Sequence, residues 1–305
     1  MRGAARATAL VAVVASSACY ATLAVLTRLA YRAGMQPMSL LAWRFILACA
    51  LMTAVQCVRR MGDLRVPLAD VGRFVVLALV GYGAGSVCFF LALRHADASV
   101  VAVLLYTYPA LVAVIDRIFA GVPLGPWRIA ALVMTFAGCA LAVGAGSSGV
   151  RTDVLGILFG LGSGLGYAVF SVLLHRWLPG RQRTVIMAYL FGVAGIAFAV
   201  AALVSGGTMS TSGWSSQAWT ILALVVLLPT FLAVLLYLGG MRTLGAAQAA
   251  LVSSLEPLFT IALAAVLLGE RMSPDRWVGV ALVVAGVVIA EWRAAPGNVE
   301  IAAGL

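Results

Sequence analysis

The stretch that decides the fold is SSLEPLFTIALAAVLLGER, residues 253–271. It is a long apolar run interrupted by one acid, Glu256, and one proline, Pro257. It ends in Gly269-Glu270-Arg271, and a second apolar run begins after Ser273-Pro274. The same plan occurs earlier. A gapless shift of 148 residues lays Arg94 on Arg242, Ala98 on Ala246 and Ala102 on Ala250. It also lays Pro109 on Pro257, Gly121 on Gly269, Pro126 on Pro274, Arg128 on Arg276 and Gly138 on Gly286. Chance rarely aligns two prolines inside apolar runs together with the proline and glycine at the bends between them. The chain reads as an internal duplication.

Composition names the solvent. Of 305 residues, 64% are hydrophobic and 10% charged, against about 25% charged in a soluble domain. Such a surface belongs in a bilayer. The net charge is +10 and every basic residue is arginine. The arginines stand singly or in small groups between apolar runs, with no basic stripe, which speaks for positive-inside topology and against nucleic acid. Cys19, Cys49, Cys57, Cys88 and Cys139 all fall in apolar runs with no CxxC, as buried thiols do. His95 and His175 are the only histidines, so no His-based metal site or catalytic triad is expected. The N-terminal run continues past Ala18-Cys19 to Leu26 and is read as a retained helix, not a cleaved signal.

A membrane helix needs about 20 apolar residues. Ten runs qualify, at 7–27, 38–58, 72–93, 97–119, 127–146, 153–174, 183–205, 217–240, 245–268 and 275–292. The prediction is an all-α polytopic membrane protein without a soluble domain. With the N-terminus inside, twelve arginines fall on the cytoplasmic side (Arg2, Arg6, Arg59, Arg60, Arg65, Arg73, Arg128, Arg176, Arg181, Arg183, Arg242, Arg293). Six fall outside: Arg28, Arg32, Arg94, Arg151, Arg271 and Arg276. That bias puts both termini in the cytoplasm of a multi-pass inner-membrane protein. The duplication reaches the start, since at a shift of 147 Tyr20-Ala21 and Val25-Leu26 fall on Tyr167-Ala168 and Val172-Leu173. Each repeat therefore holds five helices (1–148 and 149–293, with a tail at 294–305). Five is odd, so the second repeat is inverted relative to the first, with a site expected near mid-membrane between them.

Glycines mark close helix contacts. Gly156, Gly160 and Gly164 form GxxxGxxxG, Gly162 and Gly166 add a pair, and Gly81 and Gly85 another. GLGSGLG at 160–166 lacks the spacing of a nucleotide loop and has no strand before it.

Glu256 lies about 10 residues into its run, roughly 15 Å deep. A charge there is costly and is usually functional or paired. Its alternative role is a neutral acid holding the Pro257 bend. Tyr108 is its repeat partner, and Tyr106 and Tyr108 flank Pro109, either lining a cavity or packing. Pro109 and Pro257 free carbonyls and bend their helices; Pro229 matches Gly81, a second candidate hinge pair. Arg44 could attract a substrate carboxylate, pair with an acid, or snorkel to the interface. Asp116 shares the Pro109 face and could pair with Arg176 or gate the inner mouth. Gln248, Ser253 and Ser254 could bond a substrate or another helix.

TLAVLTRLAYRAGMQPMSLLAWRF (22–45), FLALRHADASVVAVLLYTYPALVAV (90–114) and SSLEPLFTIALAAVLLGERMSPDRWVGVALVVAGVVI (253–289) together resemble the drug/metabolite transporter superfamily, EamA type. The resemblance implies ten helices in two repeats and export of amino acids, other metabolites or drugs. Two departures stand out: Val122 occupies the place of the acid that Glu270 supplies in the second repeat, and Asp116-Arg117 replaces an apolar pair. The expected partners are a small-molecule substrate and lipid, with monomer and homodimer both open and no cofactor. A membrane-embedded enzyme would need a catalytic set, and the runs hold no HExxH, Asp dyad or phosphate loop. A non-transporting scaffold or sensor would leave the mid-membrane acid without a role.

Overall fold

In a computed structural model the described residues are 2–59, 66–121, 125–143, 152–178, 182–206 and 209–294. Arg60, Arg65, Arg151, Arg181, Val122 and the tail 295–305 lie outside them.

Among the described residues ten helical rods follow one another: α1 (Arg2–Arg32), α2 (Pro37–Arg59), α3 (Leu68–Val76, Leu77–Gly83, Ala84–His95), α4 (Ala98–Leu105, Tyr108–Ala120), α5 (Pro126–Val143), α6 (Val154–Trp177), α7 (Arg183–Val204), α8 (Ser216–Val226, Leu227–Leu232, Ala233–Leu244), α9 (Ala246–Ser253, Glu256–Leu268) and α10 (Pro274–Ala294). Eight of these are long and apolar enough to cross a membrane, and α5 is a shorter apolar helix. The chain is a polytopic helical membrane protein. Its helices satisfy their backbone groups internally, as hydrocarbon demands. Turns start where the chemistry directs: Asp153 accepts from Gly156 N at 2.8 Å to cap α6, and left-handed Gly121 (φ 66°) and Gly269 (φ 73°) close α4 and α9.

The principal helix pairs recur when the two repeats are exchanged. α1 packs on α8 as α6 packs on α3, while α2–α7, α4–α9 and α5–α10 are pairs of equivalents. Small residues set the approach. A Cβ on Gly138 would lie 2.5 Å from Gly279 O, and one on its equivalent Gly286 2.6 Å from Thr135 Oγ1, so α5 and α10 meet backbone to backbone. α6 uses two glycine edges: Gly160 faces Leu104 of α4, and Gly166 faces Gly85 of α3. Beneath them Phe45 stacks on Phe191 and Phe198 at 5.6 and 5.7 Å.

Four helices depart from regularity, in equivalent pairs. α3 and α8 each contain one π-helical stretch, Leu77–Gly83 and Leu227–Leu232, which hold Gly81 and Pro229. α4 and α9 are broken, where the sequence suggested continuous bends. The breaks fall at Tyr106–Thr107 and Ser254–Leu255, and Pro109 and Pro257 sit in the first turn of each second half. Proline fits there because a first-turn N–H has no helical acceptor. The break is closed by tighter bonds, Thr107 N to Leu104 O (3.2 Å) and Leu255 N to Val252 O (3.2 Å).

Candidate functional site

The two breaks place equivalent residues alike. Tyr108 and Glu256 each open the second half of a broken helix, where the helix dipole favours an acid. Both line a cavity of about 180 Å³ inside the bundle. A single water needs about 10–15 Å³ of such space, so the cavity suits a small metabolite. Its wall is rich in aromatic rings, among them Tyr20, Tyr82, Phe89, Phe90, Tyr167 and Tyr237, and carries Arg44 and Glu256. Tyr108 meets Tyr167 edge-on with centroids 4.7 Å apart.

Tyr106 Oη lies 2.8 Å from Ser253 O and 2.9 Å from Glu256 Oε2. A hydroxyl has one hydrogen, and the carbonyl can only accept. If Tyr106 donates to an ionised Glu256, the carbonyl goes without; if it donates to Ser253, a proton on Glu256 completes the other contact. The same arrangement therefore accommodates either form of the acid.

Arg44 is 3% exposed and does not snorkel. Its Nε donates to Thr230 Oγ1 at 2.7 Å, and the guanidinium lies 4.8 Å from the Phe45 centroid. Gln248 and Asp116 lie off the cavity lining. Gln248 Oε1 accepts from Arg6 at 3.2 Å, and Asp116 faces Arg176 at 3.9 Å. Both are partly exposed contacts worth about 1 kcal/mol or less. Gly81 lies in the π-helical stretch of α3 and packs against α6, where a Cβ would meet Phe170 at 2.9 Å. Pro229 is buried beside Thr230 in its π stretch.

Sequence reasoning did not find Tyr82, Phe89, Phe90 or Tyr237. Tyr20 and Tyr167 were visible as repeat matches, but only the fold turns them to one cavity. It also missed a polar cluster at the end of the bundle where α3 meets α4. There Arg28 donates to Leu93 O (3.0 Å) and Ala96 O (2.9 Å) and lies 3.8 Å from Asp97, which Arg276 approaches to 4.0 Å. Glu270 caps Ala98 and Ser99 in the same place. Among the described residues no cluster of His, Cys, Asp and Glu is arranged to hold a metal.

A family model described as the EamA-like transporter family matches residues 7–144 and again 154–292. The uncharacterized transporter YcbK of Bacillus subtilis (strain 168) is 27% identical over 276 residues, 86% of this chain and 85% of that protein. The uncharacterized transporter YwfM of the same organism is 28% identical over 169 residues, 55% of each chain. A crystal structure of a protein superposes with a TM-score of 0.65 at 21% identity, covering 93% of this chain and 96% of that one. That last likeness speaks for the fold alone.

Proposed function

We propose, for a chain that belongs to the EamA-like transporter family, that it is a secondary exporter of small metabolites: amino acids, related compounds or drugs. The two inverted repeats (1–148 and 149–293) rock about the central cavity to expose it alternately to each side of the inner membrane, with both termini cytoplasmic. One observation carries the reading. The cavity lies where the broken helices α4 and α9 cross, and it holds an acid that accommodates a proton in place. Discontinuous helices meeting at a mid-membrane site are what alternating access needs. With this orientation, the polar cluster of Arg28, Asp97, Arg276 and Glu270 closes the outer end. Binding energy then comes from the cavity, and drive from an ion or substrate gradient. Gly81 and Pro229 serve as hinges, and no catalytic chemistry is assigned.

An untargeted metabolite comparison of cells with and without the protein tests this. The producing cells should retain less of at least one small compound and release more of it. Identical metabolite profiles inside and outside would count against transport.

A further inference from the structure

Arg44 is the group that the fold leaves unfinished. Its tether is complete: Nε is held by Thr230 Oγ1, and the Thr230 hydroxyl itself donates to Val225 O at 2.8 Å. Its flat face is held by Phe45 and by Phe90, whose centroid lies 5.6 Å away. None of these contacts brings negative charge. Among the described residues no carboxylate pairs with Arg44, and its Nη nitrogens have no hydrogen-bond partner while the residue lines the cavity. Among the described residues the other deeply buried arginine, Arg276, stands near Asp97. The acid on the same cavity, Glu256, is held by Tyr106.

A buried charge needs a partner, and a fixed guanidinium fork fits a carboxylate through two parallel bonds. The tether matters here because Nε is spent on Thr230, which leaves the two Nη groups for the cavity. We infer that Arg44 anchors a carboxylate of the transported molecule, so that the cavity takes a small carboxylate-bearing compound with an apolar or aromatic body against Tyr82, Phe89 and Phe90. This deepens the transport reading and rests on it. The residue at the equivalent place in the second repeat is Gly192 at the 148 shift or Phe191 at the 147 shift. The bundle therefore has one such anchor and not a symmetric pair.

Three compounds of matched body separate the sources of the carboxylate: phenylpropanoate carries the acid alone, phenylalanine the acid and an amine, and phenethylamine the amine alone. Each is titrated into purified wild type in detergent, with thermal stability and heat of binding as readouts. Stabilisation by phenylpropanoate, with or without phenylalanine, supports the anchor and identifies organic acids. Stabilisation by phenylalanine alone supports the anchor and identifies amino acids. The anchor is overturned if phenethylamine binds as well as the carboxylates, or if neither carboxylate binds. Arg44→Gln should weaken the carboxylate about ten- to a hundredfold, and Arg44→Lys should recover part of it. Unchanged affinity in Arg44→Gln refutes the inference. Thr230→Val, which keeps the charge but frees the fork, stands in if Arg44→Gln does not fold. It should weaken the carboxylates severalfold, and equal affinity would also refute the inference. Carboxylate binding without any flux in vesicles would count against the transport reading and leave the anchor standing.

Discussion

Glu270 of the second repeat caps the first turn of α4 in the first: its Oε2 accepts from Ser99 N at 3.1 Å and from Ser99 Oγ at 2.7 Å, while Oε1 accepts from Ala98 N at 2.8 Å. The carboxylate at a helix N-terminus is favoured by the exposed N–H groups and the helix dipole. Glu270→Ala should lower stability in detergent by about 0.5–2 kcal/mol. Combining it with Ser99→Ala should cost less than the sum of the two single changes, because they share one contact. Strict additivity in denaturant melts would show that the pair does not interact.

The cap is one-sided. Under the 148 shift the places of Glu270 and Ser99 fall on Val122 and Ala247, which have no carboxylate and no hydroxyl.

Asp153 caps α6 and meets His95 Nδ1 at 2.9 Å. The Gly156 N–H and then the His95 side chain hold its carboxyl below its ordinary 3.8. A group depressed in the folded state stabilises above its unfolded value and loses that contribution as pH falls through the folded one. Asp153→Asn keeps a capping oxygen but not the charge. Below about pH 4 its thermal stability should therefore fall less steeply than that of the wild type. Parallel melting curves across that range would assign the acid sensitivity elsewhere.

Gly160→Leu and Gly164→Leu should each destabilise the bundle by about 1–3 kcal/mol or more. Even a Cβ on Gly160 would reach 2.5 Å from Leu104 Cδ1, and one on Gly164 would strike Thr107 Oγ1. Thermal melts of both variants in detergent check this, and wild-type stability in both would mean that α6 does not depend on these contacts.

Much of this was legible in the sequence because it is periodic or repeated. Helix count, inversion, the glycine faces of α6 and the pairing of Glu256 with Tyr108 all follow from matching one half of the chain to the other. The cavity wall was not, because Tyr82, Phe89 and Phe90 look like any aromatic in an apolar run until α3 turns them inward. Nor was the break in α4 and α9, because a proline marks a boundary but does not say whether the helix bends or restarts. Arg44 was ambiguous for a physical reason. A residue seven places into a helix can reach the interface or stay inside, and only Thr230 on α8 decides it.

Orientation is tested by a reporter that is active only in the cytoplasm, fused to the C-terminus. The arginine bias leads to a positive signal. A signal only from a periplasmic reporter would invert the bundle and move the Glu270 cap to the inner face, with the fold unchanged.

Glu256→Gln carries the sharpest test of mechanism. The amide can still accept from Tyr106 and keeps the shape of the side chain, so the variant should fold and reach the membrane. It cannot exchange a proton. If Glu256 carries the coupling proton, driven transport in vesicles under a pH gradient falls to background, while passive exchange of substrate survives and loses its pH dependence. If Glu256 instead binds an amine on the substrate, both driven transport and exchange fail at every pH. A purely structural Glu256, holding the restart of α9 beside Pro257, would leave driven transport at the wild-type rate. The Tyr106 contact separates these further. Tyr106→Phe removes the hydroxyl shared with Ser253 O and Glu256 Oε2 but leaves the carboxyl in place. A proton carrier should therefore keep driven transport in Tyr106→Phe with a shifted pH optimum. A structural acid would show lower stability and no shift, and Glu256 would then be removed from the transport cycle.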